Sequence, residues 1–211
     1  MTIIYREFDG DLNHLNGKTV CVVGFGTLGQ PAAVNLRESG VAVIVTGEAD
    51  DISRAEAEGF LTDKIGEAVR KSAIIMMMLS DEAMKRTYIN HVSPNLKRGD
   101  TLIFSSGYNI AFGYIEAPPF VDVGLIAPRT VGGALRVRYA ADNAPFYSFV
   151  AVGQDASGRA WDAVLGLSLA LGVLRAGAVE VTLEQEAELS LFIQQAILPA
   201  VQHMMASAAE L

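Results

Sequence analysis

The chain has 211 residues, 51% of them hydrophobic and 19% charged, a size and balance that support a buried core without disulfides and exclude bulk disorder. Its 16 basic and 24 acidic residues leave a formal charge of −8, so the basic face that a nucleic-acid binder needs is lacking. Cys21 is the single cysteine, which rules out an internal disulfide framework and fits a reduced compartment. The opening MTIIYREFDG has neither the basic flank nor the apolar run of a signal peptide. No apolar run approaches the roughly 20 residues that span a bilayer. The expectation is a soluble, cytoplasmic protein whose partners include neither membrane nor nucleic acid.

After a short lead-in over residues 1–15, KTVCVVG (18–24) is a continuous apolar run of the kind that forms strands buried on both faces of a parallel sheet. FGTLGQPAAVNLRESG (25–40) carries helical spacing in Leu28, Ala32 and Leu36, and Gly40 stands where a helix stops. VAVIVTG (41–47) is a second strand, and ISRAEAEGF and DKIGEAVRKS are short helices. AIIMMML (73–79), TLIFSSG (101–107), VDVGLIAP (121–128), SFVAVG (148–153) and AVEVT (178–182) read as further strands. DEAMKRTYINHV opens a helix with acidic residues in its first turn, and SGRAWDAVLGLSLALG (157–172) is helical. ALRVRYAADNAP (134–145) reads as an irregular surface loop. Strand–helix alternation of this kind predicts an α/β fold, a doubly wound and mostly parallel sheet of Rossmann type over residues 1–182. Residues 183–211 are expected to form one helix, interrupted at most by Pro199. It is apolar over most of its circumference, which calls for cover on several sides. A homodimer formed through this helix is the favoured reading, and packing back onto its own sheet is the alternative.

Gly24-Phe25-Gly26-Thr27-Leu28-Gly29 is a GxGxxG run that follows a buried strand and opens a helix. In that context it predicts a dinucleotide site. Gly24 permits the tight turn, Gly26 lets the backbone approach a pyrophosphate, and Gly29 lets helix and strand pack closely. The unpaired N–H groups and positive end of the helix then face the phosphates. At the end of the second strand, Thr46-Gly47-Glu48-Ala49-Asp50-Asp51 carries three carboxylates and no basic residue before Arg54. Glu48 is the expected ribose ligand, and Asp50 or Asp51 the cap of a helix beginning near Ile52. A carboxylate binds a 2′-hydroxyl and repels a 2′-phosphate, so NAD is favoured over NADP. Leu79, Ser80 and Ser105, at the ends of the next two strands, are assigned to the same cofactor.

The stretch from Leu15 to Gln195 resembles the N-terminal part of ketol-acid reductoisomerase. The resemblance is carried by LNGKTVCVVGFGTLGQ, AVNLRESG, SAIIMMMLSDE, SPNLKRGDTLIFSSGYNIAFGYI, PPFVDVGLIAPR, VGQDASGRA and TLEQEAELSLFIQQAIL. It implies alkyl migration followed by hydride transfer, with two magnesium ions held mainly by acidic residues of a C-terminal helical domain. At the positions matching the family's first two metal carboxylates this chain has Ser190 and Gln194. The family's histidines match Ser106 and Ala111, and its lysine matches Arg129. Neutral ligands hold magnesium poorly. The expectation is therefore no magnesium and no ketol-acid reductoisomerase activity.

Ser106 lies at the carboxyl end of a parallel strand, where ligands bind, and Tyr108 and Asn109 follow it. These three are the candidates for polarising a substrate, and Arg129 for holding an acidic one. Helix capping by Ser106 and a surface Arg129 are the alternative reading. His14, His91 and His203 read as surface or packing residues, and no metal cluster is seen. Glu184, Glu186 and Glu188, like Asp81 and Glu82, read as acids favoured by a helix N-terminus. No GxSxG elbow points to a serine hydrolase. The leading expectation is a metal-independent, NAD(P)-dependent oxidoreductase that reduces a C=O or C=N group of a small, acidic metabolite. The alternatives are a non-catalytic NAD(H) sensor or partner subunit, and a non-redox isomerase or cyclase.

Overall fold

The computed structural model describes residues 2–130, 132–140 and 146–209. One nine-stranded sheet runs through the molecule in the order β1-β9-β8-β7-β6-β5-β2-β3-β4. In chain order the strands are β1 (Ile4–Tyr5), β2 (Thr19–Val23), β3 (Ala42–Thr46), β4 (Leu61–Thr62), β5 (Ile74–Met77), β6 (Thr101–Phe104), β7 (Asp122–Pro128), β8 (Ser148–Gln154) and β9 (Ala178–Glu180). Strands β4, β3, β2, β5, β6 and β7 are mutually parallel. Strand β8 turns back antiparallel to β7, and β1 is antiparallel to β9. The sheet is thus mostly parallel, as its apolar runs require.

Those runs are continuous because both sheet faces are covered. On β5, Ile74 and Met76 enter the core of one face, while Ile75 and Met77 enter that of the other. On β2, Val20 and Val22 alternate with Cys21 and Val23 in the same way. Burial pushes the Cys21 thiol up to about 12, which leaves it an inert core residue.

The helices are α1 (Gly29–Glu38), α2 (Ala49–Ala57), α3 (Ile65–Lys71), α4 (Asp81–Thr87), the single turn α5 (Tyr108–Ala111), α6 (Gly132–Ala140), α7 (Ala160–Ala170), α8 (Leu183–Phe192) and α9 (Leu198–Ala209). Helix α2 begins at Ala49, three residues before the expected start, with Glu48 at its N-cap. Helix α6 corrects the loop expected over 134–145, of which residues 141–145 lie outside the described residues. Leu135 of α6 enters the core, and polar contacts dock the helix on α1: Arg136 donates to the Glu38 carboxylate and to the Asn35 side-chain amide oxygen. The two-residue edge strands β1 and β4 were too short for any periodicity to reveal.

The C-terminal segment is a continuous helix in which a π-turn, Ile193–Ile197, joins α8 to α9. The wider turn sits just before Pro199, whose ring and missing N–H disrupt the regular ladder. Leu183, Glu186 and Ala187 of α8 are buried against the domain. Beyond them Phe192, Leu198, Met204 and Met205 are between 48% and 68% exposed, so the segment does not pack back onto its own sheet. Among the described residues no helix is long and apolar enough to cross a membrane.

Candidate active site

The sheet's parallel order diverges between β2 and β5, with β3 on one side and β6 on the other. Ligands bind at the carboxyl ends of strands at such a point. The glycine loop lies there, and its geometry assigns each glycine a role. Gly24 has φ +97°, and a Cβ on it would come within 2.7 Å of the Met78 carbonyl oxygen. A Cβ on Gly29 would come within 2.0 Å of the Gly24 carbonyl oxygen, so α1 can approach β2 this closely only without a side chain. Gly26 differs: a Cβ there would have nothing within 4 Å. Its side-chain direction is open space beside the helix entrance. The N–H groups of Gly26, Thr27 and Leu28 have no hydrogen-bond partner among the described residues. This is a cradle shaped for a pyrophosphate, and the residues present fit a dinucleotide.

Glu48 is exposed at the rim of a cavity of about 850 Å³ that Ser80, Lys64 and Arg86 also line. Asp51 is the capping carboxylate of α2: its Oδ2 accepts the Glu48 N–H at 3.4 Å. Its Oδ1 is 2.6 Å from the Arg54 guanidinium, so the nearest basic residue in sequence is already paired.

A second cleft, of about 500 Å³, adjoins the first, with Ser80 in both walls. Leu28 of the glycine loop, Leu79 and Ser105 form its cofactor side. Ser106, Tyr108 and Arg129 form the other side, so the structure brings three of the four expected catalytic residues together. Asn109 does not join them. It is 2% exposed, and its amide nitrogen donates to the Asp81 main-chain and side-chain oxygens, each at 3.2 Å. It ties α5 to α4 and acts on the site through Asp81.

Ser106 Oγ accepts the Tyr108 N–H at 3.3 Å and donates to Asp81 Oδ2 at 3.5 Å. The cap and the contact with Asp81 are therefore both present. Burial holds the Asp81 carboxyl above its usual range; the Ser106 and Asn109 hydrogen bonds oppose that shift, and the charges of Glu82 and Glu186 add to it. Tyr108 stacks on Tyr114 with ring centroids 5.6 Å apart. The hydrogen bond to Tyr114, more than burial, raises the Tyr108 phenol.

At the far end a carboxylate joins three elements. Glu186, only 2% exposed, accepts the Gly107 N–H at 2.7 Å through Oε2. Its Oε1 accepts from Ser190 Oγ at 2.6 Å and from Arg129 at 3.3 Å. The same guanidinium nitrogen of Arg129 donates to Ser190 Oγ at 3.1 Å, and the guanidinium carbon lies 5.0 Å from the Phe149 ring centre. Sequence reading missed Glu186 and Asp81, because acids at a helix N-terminus have an adequate local explanation. One signal was present for Glu186: it shares the i, i+3, i+4, i+7 stripe of α8 with Leu183, Ala187 and Ser190, the face that turns inward.

These residues do not fit a magnesium ion. Ser190 and Gln194 contribute a hydroxyl and an amide, Glu186 is engaged with a guanidinium, and that guanidinium would repel a cation. Among the described residues no three His, Cys, Asp or Glu side chains are grouped to hold a metal.

Residues 14–177 match the family model described as acetohydroxy acid isomeroreductase, NADPH-binding domain. The ketol-acid reductoisomerase (NADP(+)) of Renibacterium salmoninarum is 39% identical over 200 residues, covering 94% of this chain and 58% of that protein. The enzyme of the same name from Pyrobaculum arsenaticum is 39% identical over 202 residues, covering 94% of this chain and 61% of its own length. This chain thus spans about three fifths of the curated relatives it matches. The solved structure of an NADH-preferring ketol-acid reductoisomerase from an uncultured archean superposes with a TM-score of 0.93 at 32% identity, covering 97% of this chain and 64% of that one. A semialdehyde dehydrogenase NAD-binding protein from Cupriavidus necator, at 17% identity and a TM-score of 0.76, shares the fold. A glycine cradle at the sheet's divergence, a nicotinamide-enzyme fold and a family match across most of its length place this chain in the acetohydroxy acid isomeroreductase family, as a bearer of its NADPH-binding domain.

Proposed function

We propose that the chain is an NAD(H)-dependent oxidoreductase that reduces a C=O or C=N group of a small acidic metabolite, without a metal and without ketol-acid reductoisomerase activity. The observation that carries this reading is the groove made by the two adjoining clefts, from Glu48 through the shared Ser80 to Ser106 and Arg129, with Leu28 of the glycine loop in its wall. It suits a dinucleotide with a small molecule beyond its nicotinamide end.

Bound dihydronicotinamide would supply the hydride, two electrons with one hydrogen, to the carbon of the double bond. Gly26, Thr27 and Leu28 hold the pyrophosphate with backbone N–H groups, while Gly24, whose N–H donates to the Thr46 carbonyl at 2.7 Å, and Gly29 let the turn and the helix approach it. Glu48 accepts from the ribose hydroxyls, and its charge at the rim, with Arg54 paired to Asp51, opposes a 2′-phosphate against the pull of Lys64 and Arg86 in the same cavity. Leu79, Ser80 and Ser105 flank the nicotinamide. Ser106 polarises the substrate oxygen or nitrogen and gives it the proton that completes the alcohol or amine. Asp81 relays a proton from solvent back to Ser106 across their hydrogen bond. Tyr108 closes the cleft's outer wall, Asn109 positions Asp81, and Arg129 orients the substrate's acidic group.

Residues 183–211 are proposed as a dimerisation element of a cytoplasmic homodimer. The exposed apolar side chains of Phe192, Leu198, Met204 and Met205 support this reading. Elution with multi-angle light scattering should give twice the chain mass.

The functional test is a fluorescence titration with NADH and NADPH, followed by NADH oxidation over a panel of oxo and imino acids, with chelator and with magnesium. Tighter NADH binding and chelator-resistant turnover are expected. NADH binding with no turnover on any panel member would favour a sensor or partner subunit. Binding of neither nucleotide would remove the redox reading.

A further inference from the structure

We infer that the inner end of the 500 Å³ cleft is a subsite for a single carboxylate, formed by Arg129, which Ser190 and Glu186 hold in place, and that the molecule it admits is a small 2-oxo or 2-imino monocarboxylic acid. The inference rests on the redox reading for its oxo or imino group, but the carboxylate subsite stands on its own geometry.

Three observations carry it. One guanidinium nitrogen of Arg129 is fixed by Glu186 and Ser190, and the ring of Phe149 supports the guanidinium plane. The other nitrogens of the same guanidinium make no contact among the described residues, although Arg129 lines the cleft. An arginine held at one end in this way presents its remaining N–H groups as a rigid fork, which matches a carboxylate. Second, Glu186 links this fork to the proposed reaction centre. Its two oxygens bind Arg129 and the Gly107 N–H, and Gly107 follows Ser106 in the chain. Arg129 and the Ser106–Gly107 segment are thus fastened to one carboxylate and face the same cleft, which suits a ligand that carries its carboxylate and its carbonyl close together. Third, the charge balance is narrow. Glu186 and Asp81 line the same cleft as Arg129, its one cation among the described residues, so a second negative charge on the ligand meets repulsion. The same pairing disfavours a divalent cation beside the guanidinium.

The test is calorimetric titration of the full 211-residue chain, with and without saturating NADH, using three probes on one two-carbon frame: oxamide, oxamate and oxalate. They carry no charge, one and two negative charges at neutral pH. Oxamate is expected to bind at least tenfold tighter than oxamide and severalfold tighter than oxalate, and magnesium should leave its affinity unchanged within twofold. Arg129→Ala should weaken oxamate at least thirtyfold, and Arg129→Lys, which keeps the charge and loses the fork, five- to tenfold. Since Arg129→Ala strands the buried Glu186, Ser190→Ala serves beside it: this variant loses only a hydroxyl and should weaken oxamate about threefold.

Equal affinity for oxamide and oxamate would overturn the inference, as would oxalate binding that is tighter and needs magnesium. So would an oxamate affinity insensitive to both Arg129→Lys and Ser190→Ala. NADH binding without oxamate binding would sink the subsite and leave the redox reading standing. Oxamate binding that depends on Arg129, with no NADH binding, would do the reverse.

Discussion

The two ends of the groove are built by opposite means. The cofactor end is made by leaving side chains out. Gly24 and Gly29 touch backbone so closely that no Cβ fits, and Gly26 faces open space. The substrate end is made by placing charged side chains and then holding them. Glu186 on α8 fastens Arg129 after β7 and Gly107 before α5, so three distant segments meet at one buried carboxylate. The packed glycines of such a cradle, Gly24 and Gly29, admit no side chain, but the cradle depends on few neighbours. A side-chain cluster can change its chemistry residue by residue while the fold stays, and here Ser190 and Gln194 line the cleft with a hydroxyl and an amide.

The sharpest test of this contrast lies at the cofactor end. Gly29→Ala places a methyl 2.0 Å from the Gly24 oxygen, against backbone that cannot rotate away. We expect a loss of about 3 kcal/mol or more, read as the midpoint shift in urea unfolding. A variant that unfolds with the wild type would show that α1 can slide along β2 and that the close approach is not needed.

Next in size is Glu186→Ala at the substrate end. It removes a carboxylate that is nearly fully buried and leaves Arg129 and the Gly107 N–H without their acceptor. Breaking a buried pair costs 3–5 kcal/mol when both partners are buried. The Arg129 side chain is 29% exposed, so about 2–3 kcal/mol is expected. Glu186→Gln keeps an acceptor for Gly107 and should lose about 1 kcal/mol. If both variants melt with the wild type, the cluster does not hold the three segments together.

The same contrast governs what the sequence disclosed. The strands, the doubly wound order and the glycine loop were legible because their causes are local: period, run length and a residue type that backbone geometry demands. Helix α6 was not, because Arg136 and Glu38, which dock it, lie 98 residues apart and its own apolar pattern is weak. The Arg129–Glu186 pair is separated by 57 residues, and each member had a sufficient local account as a surface arginine or a helix-start acid. Asn109 shows the converse. Its position beside Ser106 suggested a substrate contact, but the turn of α5 directs its amide inward to Asp81. Adjacency in sequence gave the neighbourhood and not the direction.

Gly26→Ala separates ligand space from packing. With nothing within 4 Å of the added methyl, stability should hold within about 0.5 kcal/mol. NADH affinity should fall roughly tenfold, about 1.4 kcal/mol, because the methyl occupies the pyrophosphate's approach. Unchanged NADH binding in this folded variant would move the cofactor away from the glycine loop.

The smallest effect is a pH dependence that assigns Asp81 to the substrate end. Burial raises its folded-state pKa above the unfolded value near 4. Between those two values the native state holds more protons than the unfolded chain, so stability falls as pH rises through the window. Asp81 therefore contributes its stabilisation below about pH 4 and loses it as the folded carboxyl ionises. Asp81→Asn removes the ionisation yet keeps an oxygen to accept from Asn109 and adds an N–H that can donate to Ser106. The variant should match or exceed the wild type at pH 7, by less than about 1 kcal/mol because the site is half open to water. That margin should shrink as the pH is lowered toward 4. Asp100, whose burial raises it likewise, and Asp63, lowered by its hydrogen bond to Lys71, titrate equally in both proteins and cancel in the difference. Thermal melts of the two proteins from pH 3 to 8 give the comparison. A deficit in the variant that grows with pH would mean that ionised Asp81 is a stabilising acceptor, not a strained one, and would withdraw it as the proton source for Ser106.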